Sequence, residues 1–219
     1  MQPVATRRLR SSRLLAHPRP VRSQHRRGDD SPVAVHHVRA LSSPPAVPQN
    51  HFHRHPPVID LQSDQFFMTE ALRQAQRAYL AGEVPVGAVV VSGGRVIARA
   101  FNQVETLKDA TAHAEMLALT QAESALGDWR LTECDLYVTK EPCPMCAGAI
   151  VHCRVRRVVF GCDDKKGGAA GGGFINLLQQ ETLNHQSTVT AGVLAEESRQ
   201  LLKTFFVEAR TKSRTSGSN

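Results

Sequence analysis

Apolar side chains first recur with a period in residues 65–81. Phe67, Ala71, Ala75, Ala78 and Tyr79 fall three or four apart, the spacing of one helical face, and Gly82 marks the end of that helix. The pattern then becomes continuous. Gly87–Val91 predicts a strand, Ser92-Gly93-Gly94 a hairpin turn and Arg95–Ala100 a returning strand, with Asn102 just past its end. Thr111 precedes a helix expected from about Ala112 towards Ala125 and is placed to cap it. Leu136–Thr139 reads as a short strand aimed at a helix that starts near Pro142, where proline suits the first turn, and ends near Cys153. Arg157–Gly161 is a further strand and Thr188–Gly192 a final edge strand. Leu194, Leu201, Leu202 and Phe205 share one face of a closing helix. Gly167–Gly173 has five glycines in seven residues and reads as a flexible surface loop. Strands alternating with helices imply a sheet with helices packed on both faces.

Residues 1–60 show no such pattern. They hold nine prolines, seven histidines and few large apolar residues, too few to offset the entropy of ordering, and are expected to be a disordered basic extension. They also explain the charge. Of the formal net +7, this stretch contributes ten arginines against three aspartates, while residues 61–219 carry 17 basic and 17 acidic side chains. The basic character belongs to the tail and does not argue that the folded part binds nucleic acid. Three readings of the tail stay open: a solvated tail adding weak RNA affinity, an organelle transit peptide, or a start assigned too far upstream of a true beginning near Met68. The third is preferred. His51, His53 and His55 are read as polar tail rather than as a metal site.

The chemistry is concentrated in His113-Ala114-Glu115 and in Pro142-Cys143-Pro144-Met145-Cys146. Two cysteines three apart share a helical face, and the positive end of a helix starting there favours their thiolates. Two thiolates and one imidazole give a zinc ion three protein ligands and leave the fourth tetrahedral position for water, the pattern of a catalytic site. The pKa of such a water falls to about 7. Glu115 sits two residues from His113, off its helical face. It is a poor fourth ligand but is placed to move protons. H-x-E followed by P-C-x-x-C is the signature of zinc-dependent base deaminases. Cys134, Cys153 and Cys162 are left over and are expected to be buried thiols in a reducing compartment.

From about Gln65 to Arg210 the chain resembles the bacterial tRNA-specific adenosine deaminases. The stretches that carry the likeness are Glu83-Val84-Pro85-Val86-Gly87-Ala88, Asn102, the two zinc motifs, Leu136-Tyr137-Val138-Thr139, Arg157-Val158-Val159-Phe160-Gly161, Gly168-Ala169-Ala170-Gly171, Leu183-Asn184-His185 and Phe205-Phe206. The resemblance implies an α/β fold of the cytidine deaminase-like type, a three-layer α/β/α sandwich around a five-stranded mixed sheet, spanning a zinc-dependent deaminase domain at 61–219. It implies one zinc per chain on His113, Cys143 and Cys146. Glu115 would pass a proton from water to the base. Asn102 would bind the flipped adenine, with the Ala114 amide and the Val86 side chain shaping its pocket. Asp164, Lys166, Phe206 and Arg210 would meet flanking nucleotides of a tRNA anticodon loop. The reaction implied is hydrolytic conversion of wobble adenosine to inosine by a cytoplasmic homodimer. Lys140 departs from the family pattern, standing next to the zinc loop where relatives are usually apolar.

Two rivals remain from the residues alone. One is a small-molecule deaminase of the cytosine or guanine type, whose zinc motif would look the same. The other is a non-catalytic, zinc-stabilised RNA-binding subunit, against which Glu115 speaks. No apolar run approaches the roughly 20 residues of a membrane span.

Overall fold

The computed structural model describes residues 60–216; the Arg-rich tail, its histidines and the boundary expected near residue 60 lie outside or at the edge of them. Helix α1 (Asp64–Leu80) begins where Ser63, in extended conformation, accepts a hydrogen bond from the amide of Phe66. Its buried face of Phe67, Met68, Ala71, Ala75 and Ala78 covers one side of the sheet. The strands are β1 (Gly87–Ser92), β2 (Arg95–Phe101), β3 (Cys134–Lys140), β4 (Arg157–Cys162) and β5 (Thr188–Ala191), in the order β2-β1-β3-β4-β5. The pairs β1–β2 and β1–β3 are antiparallel, while β3–β4 and β4–β5 are parallel, so the sheet is mixed as expected.

Alternate residues of the central strands go to opposite layers. Val89, Val91, Tyr137 and Val159 pack with α1, and the long closing helix α5 (Ala195–Ser216) lies against β3 and β4. Val90, Leu136, Val138, Val158 and Phe160 pack with α3 (Ala114–Leu126) and α4 (Pro144–His152). Burial on both faces is why β1 reads as a continuous apolar run rather than an alternating one. Gly87 is required by the approach of α1: a Cβ there would stand 2.1 Å from the Ala71 carbonyl oxygen. Among the described residues no helix is long and apolar enough to cross a membrane.

Three local expectations are corrected. The helix expected at Ala112 starts at Ala114, with His113 in the capping place, because the Thr111 hydroxyl and amide both bond Asp109 at 2.7 and 2.8 Å instead. A short helix, α2 (Val104–Leu107), was not foreseen. Leu194 precedes α5, at φ +50°, and packs from there against the α1 layer.

Asp64 ties α1 to the sheet. Its carboxylate accepts two bonds from Arg157, at 2.9 and 2.6 Å, and one from the Tyr137 hydroxyl at 2.9 Å. The Arg157 guanidinium outweighs partial burial and holds the Asp64 carboxyl below its ordinary value. Its contribution to stability is therefore present above the unfolded pKa of about 3.9 and lost as pH falls through the lower folded one. Asp64→Asn is expected to cost about 1 kcal/mol at neutral pH, discounted for the pair's partial exposure. The difference should shrink below about pH 3. Urea unfolding of both proteins at the two pH values checks this; a cost that does not change with pH would mean lost packing rather than lost charge.

Candidate active site

Two helices start at the carboxyl end of β3. Cys143 stands immediately before α4, with φ −73° and ψ 171°, and His113 holds the same place before α3, with φ −70° and ψ 153°. Neither side chain caps its own helix, which leaves both to face each other. His113 Nδ1 lies 3.6 Å from Cys143 Sγ and 3.5 Å from Cys146 Sγ, and one ligand atom from each of the three residues falls within 4.8 Å of the others. A tetrahedral ion bonded at about 2.3 Å to sulfur and 2.0–2.1 Å to nitrogen sets sulfur–nitrogen separations of roughly 3.6 Å. The donor set therefore fits zinc.

Its charge fits as well. A hydrogen bond from Cys146, aided by His113, overrides burial and brings the Cys143 thiol down to about 3. The same contact with Cys143, together with burial, pushes Cys146 upward, and Cys143 raises His113 against the effect of its burial. The cluster thus ionises once easily, and a cation is what a second thiolate needs.

Beside these residues opens a cavity of about 330 Å3, lined among others by Val86, Asn102, His113, Glu115, Cys143 and Phe206. Glu115, in the first turn of α3, is 4% exposed, and burial pushes its carboxyl above the usual range. Asn102 is buried and donates from Nδ2 to Glu83 Oε2 at 3.2 Å. Phe206 on α5 stays 45% exposed at the cavity edge, while Phe205 turns away to pack edge-on against Tyr79. Ala114 and Cys146 are fully buried. Asp164 pairs with Lys140, which lines the cavity. Lys166 and Arg210 are exposed and do not line it.

Two carboxylates organise this region although the sequence pattern did not point to them. Glu83, 1% exposed, accepts from Asn102 and from the amides of Glu105 and Thr106, at 3.2 and 2.6 Å. It thereby orients Asn102 and holds the start of α2. Burial opposes its charge, but those bonds prevail and keep its pKa below the ordinary value. Glu141, also 1% exposed, accepts from the amides of Asp164, Ala170, Gly172 and Gly173 at 2.9–3.0 Å. The glycine stretch read as a flexible surface loop is instead wrapped around this carboxylate, with Ala169 and Ala170 buried. Glycine is needed there, since a Cβ at Gly168 would stand 2.2 Å from Glu141 Oε2. The available signal was a glutamate one or two residues ahead of a proline, in Glu83-Val84-Pro85 and again in Glu141-Pro142. Glu141→Gln is expected to cost about 2–3 kcal/mol, because bonds to a charged acceptor are replaced and amide donors are forced together. Amide exchange confined to residues 164–173 should accelerate; unchanged protection there would refute the anchoring role. The leftover thiols are only partly as expected: Cys134 and Cys162 are buried, but Cys153 is half-buried, donates to Glu123 at 3.0 Å, and is pushed up to about 12 by burial and that carboxylate.

Comparison with known proteins gives the same picture. The profile of the MafB19-like deaminases matches residues 62–210. A tRNA-specific adenosine deaminase of Bacillus subtilis (strain 168) is 51% identical over 159 residues, covering 73% of this chain and 98% of that protein. The tRNA-specific adenosine deaminase of Aquifex aeolicus (strain VF5) is 47% identical over 146 residues, covering 67% and 95%. A solved structure from work on A-to-I editing by tRNA:A34 deaminases at the wobble position of transfer RNA is 46% identical. It superposes with a TM-score of 0.59, over 62% of this chain and 97% of that one. With its residues 62–210 matched by the profile and its relatives covered almost end to end, the chain belongs to the MafB19-like deaminase family, among the tRNA-specific adenosine deaminases.

Proposed function

We propose that this protein hydrolyses adenosine to inosine at the wobble position of a tRNA anticodon, with water as co-substrate and ammonia as second product. The observation that carries the reading is the convergence of His113, Cys143 and Cys146 at one wall of a cavity that Glu115 and Asn102 also line. His113, Cys143 and Cys146 are the residues that would hold one zinc ion. When bound, the ion acts as a Lewis acid that makes water a competent nucleophile near neutral pH.

The remaining work falls to the chain. Glu115 takes a proton from the water that attacks C6 and delivers it to N1 of adenine. A second transfer to the amino group lets the C6–N bond break and ammonia leave. With Nδ2 of Asn102 committed to Glu83, its Oδ1 is the atom left to accept from the base. Val86 lines the base pocket, Phe206 offers a ring at its edge for a neighbouring base to stack on, and the amide of Ala114, in the first turn of α3 between His113 and Glu115, would complete the pocket. Asp164, Lys166 and Arg210 border the path of the flanking nucleotides. An anticodon loop suits the cavity because its bases are already unpaired, so extruding one costs little. Residues 1–60 act as an extension to the catalytic domain at 61–219. Two copies associate through exposed apolar side chains such as Leu183, 38% exposed beside Gly148 and Val151 of α4. The enzyme works in the cytoplasm, where its unpaired cysteines stay reduced.

The test is to incubate zinc-loaded protein with a tRNA carrying wobble adenosine and read inosine as guanosine after reverse transcription. Conversion confined to that nucleotide is expected. Turnover of free guanine or cytosine with tRNA refused would make it a small-molecule deaminase. RNA binding with no turnover of any substrate would make it a non-catalytic subunit.

A further inference from the structure

The cavity wall presents a problem of charge. Glu83, Glu105, Glu115 and Glu141 all line it, and the RNA proposed to enter carries a phosphate on each side of its target nucleoside. Lys140 is the one lysine or arginine among the lining residues. It is also the last residue of β3 and the only one in that strand that is not buried. Being at the carboxyl end of a parallel strand pair, it stands where open α/β sheets commonly receive ligands.

Its partner explains how the ammonium is held. Lys140 Nζ lies 2.5 Å from Asp164 Oδ2, and the other oxygen of Asp164 accepts from the amides of Lys166 and Gly167 at 3.1 Å each. Asp164 is fixed further by its own amide, which donates to Glu141. Its carboxylate is thus engaged on both oxygens by the protein, although the sequence suggested it as a nucleotide contact. An ammonium has three donors, and Asp164 takes one. The Lys140 side chain keeps 30% of its surface exposed at the cavity, so the remaining donors are open to a ligand.

We propose that Lys140, steered by Asp164, binds a phosphate next to the target adenosine, making it a substrate-positioning residue for an RNA strand rather than a strut of the loop. The inference rests on the proposed RNA substrate. The ligand chemistry is a phosphodiester of single-stranded RNA, and Asp164 acts through Lys140 instead of touching the nucleotide itself. In a wall of carboxylates, this cation is what lets a polyanion approach the catalytic centre, and a free base without phosphates gains nothing from it.

The experiment uses zinc-loaded full-length protein, its Lys140→Met and Lys140→Arg variants, and an anticodon stem-loop RNA. In this RNA the phosphate on either side of the target adenosine is replaced, one at a time, by a neutral methylphosphonate. Lys140→Met should raise KM roughly tenfold, with kcat changed less. It should flatten the dependence of log KM on log salt by about 0.7–1 unit, the loss of one phosphate contact. One methylphosphonate should weaken the wild type about as much and add nothing in Lys140→Met, while Lys140→Arg keeps the wild-type sensitivity. Equal sensitivity of wild type and Lys140→Met at both phosphates overturns the proposal. So does a Met variant that loses kcat or zinc at unchanged KM, which would make Lys140 a support of the metal loop. Should the Met variant fail to fold, Lys140→Gln takes its place with the same outcomes. A wild type that does not deaminate the unmodified stem-loop overturns the substrate assignment itself, and is thereby distinguished from failure at Lys140 alone.

Discussion

Glu115→Gln is expected to retain fold, zinc and tRNA affinity while losing roughly 10³–10⁴ in kcat. Positioned acid–base groups contribute about 10²–10⁴ each, and the upper end applies because Glu115 is asked to move more than one proton in a single turnover. Glutamine keeps the shape in a place only 4% exposed, so the cavity does not collapse. It cannot take a proton from water. The loss should fall on kcat and on kcat/KM alike, the mark of an interaction made only in the transition state. Stability should move the other way or not at all. Burial pushes the Glu115 carboxyl upward, which means that its charged form is paid for by the rest of the fold, and a neutral amide removes that cost. The measurements are single-turnover inosine formation, zinc content and the urea midpoint on the same preparation. A variant that comes out without zinc would make Glu115 a ligand and end the proton-transfer role.

What the chain disclosed in advance depended on whether the cause was local. Helix α1 and the β1–β2 hairpin came out close to expectation, because apolar spacing, Ser63 before the first turn and Gly93-Gly94 in the hairpin turn all act within a few residues. The placement of Cys143 and Cys146 at one helix start was legible for the same reason, since two cysteines three apart constrain each other locally, whereas His113 joins them only through the fold. Helix α2 was not legible, since two of its amides are bonded by Glu83, more than twenty residues upstream. The glycine loop deceived in the same way. Its composition signals freedom, but a buried carboxylate some thirty residues earlier collects its amides into one conformation. Thr111 shows a contest between two local rules, in which the turn with Asp109 prevailed over capping. The pairing of Asp164 with Lys140 was not legible either: the two stand 24 residues apart, and only the folded arrangement brings them together.

Cys143→Ser and Cys146→Ser are each expected to reduce zinc affinity by more than roughly 100-fold, beyond the 10–100-fold that removing an outer hydrogen-bond partner of a ligand costs. The two should differ in what else they do. Cys146 is fully buried within α4 and packs in the main core, whereas Cys143 stands half-exposed before that helix. A hydroxyl at 146 therefore adds the cost of a buried polar group, so Cys146→Ser should lower the unfolding midpoint of metal-free protein at any pH, whereas Cys143→Ser should lower it through loss of the depressed thiolate, a cost that fades as pH falls towards about 3. Adding zinc provides a second readout that needs no activity. A ligand that binds only the folded state stabilises by RT ln(1 + [L]/Kd), so zinc at 100 times Kd raises wild-type stability by about 2.7 kcal/mol. Both variants should lose most of that increment. Either one keeping a full equivalent of zinc against a competing chelator would mean that its sulfur is not a ligand. Loss of the zinc increment in Cys143→Ser, measured against that variant's own metal-free midpoint, would separate a metal-binding sulfur from one that only fills space.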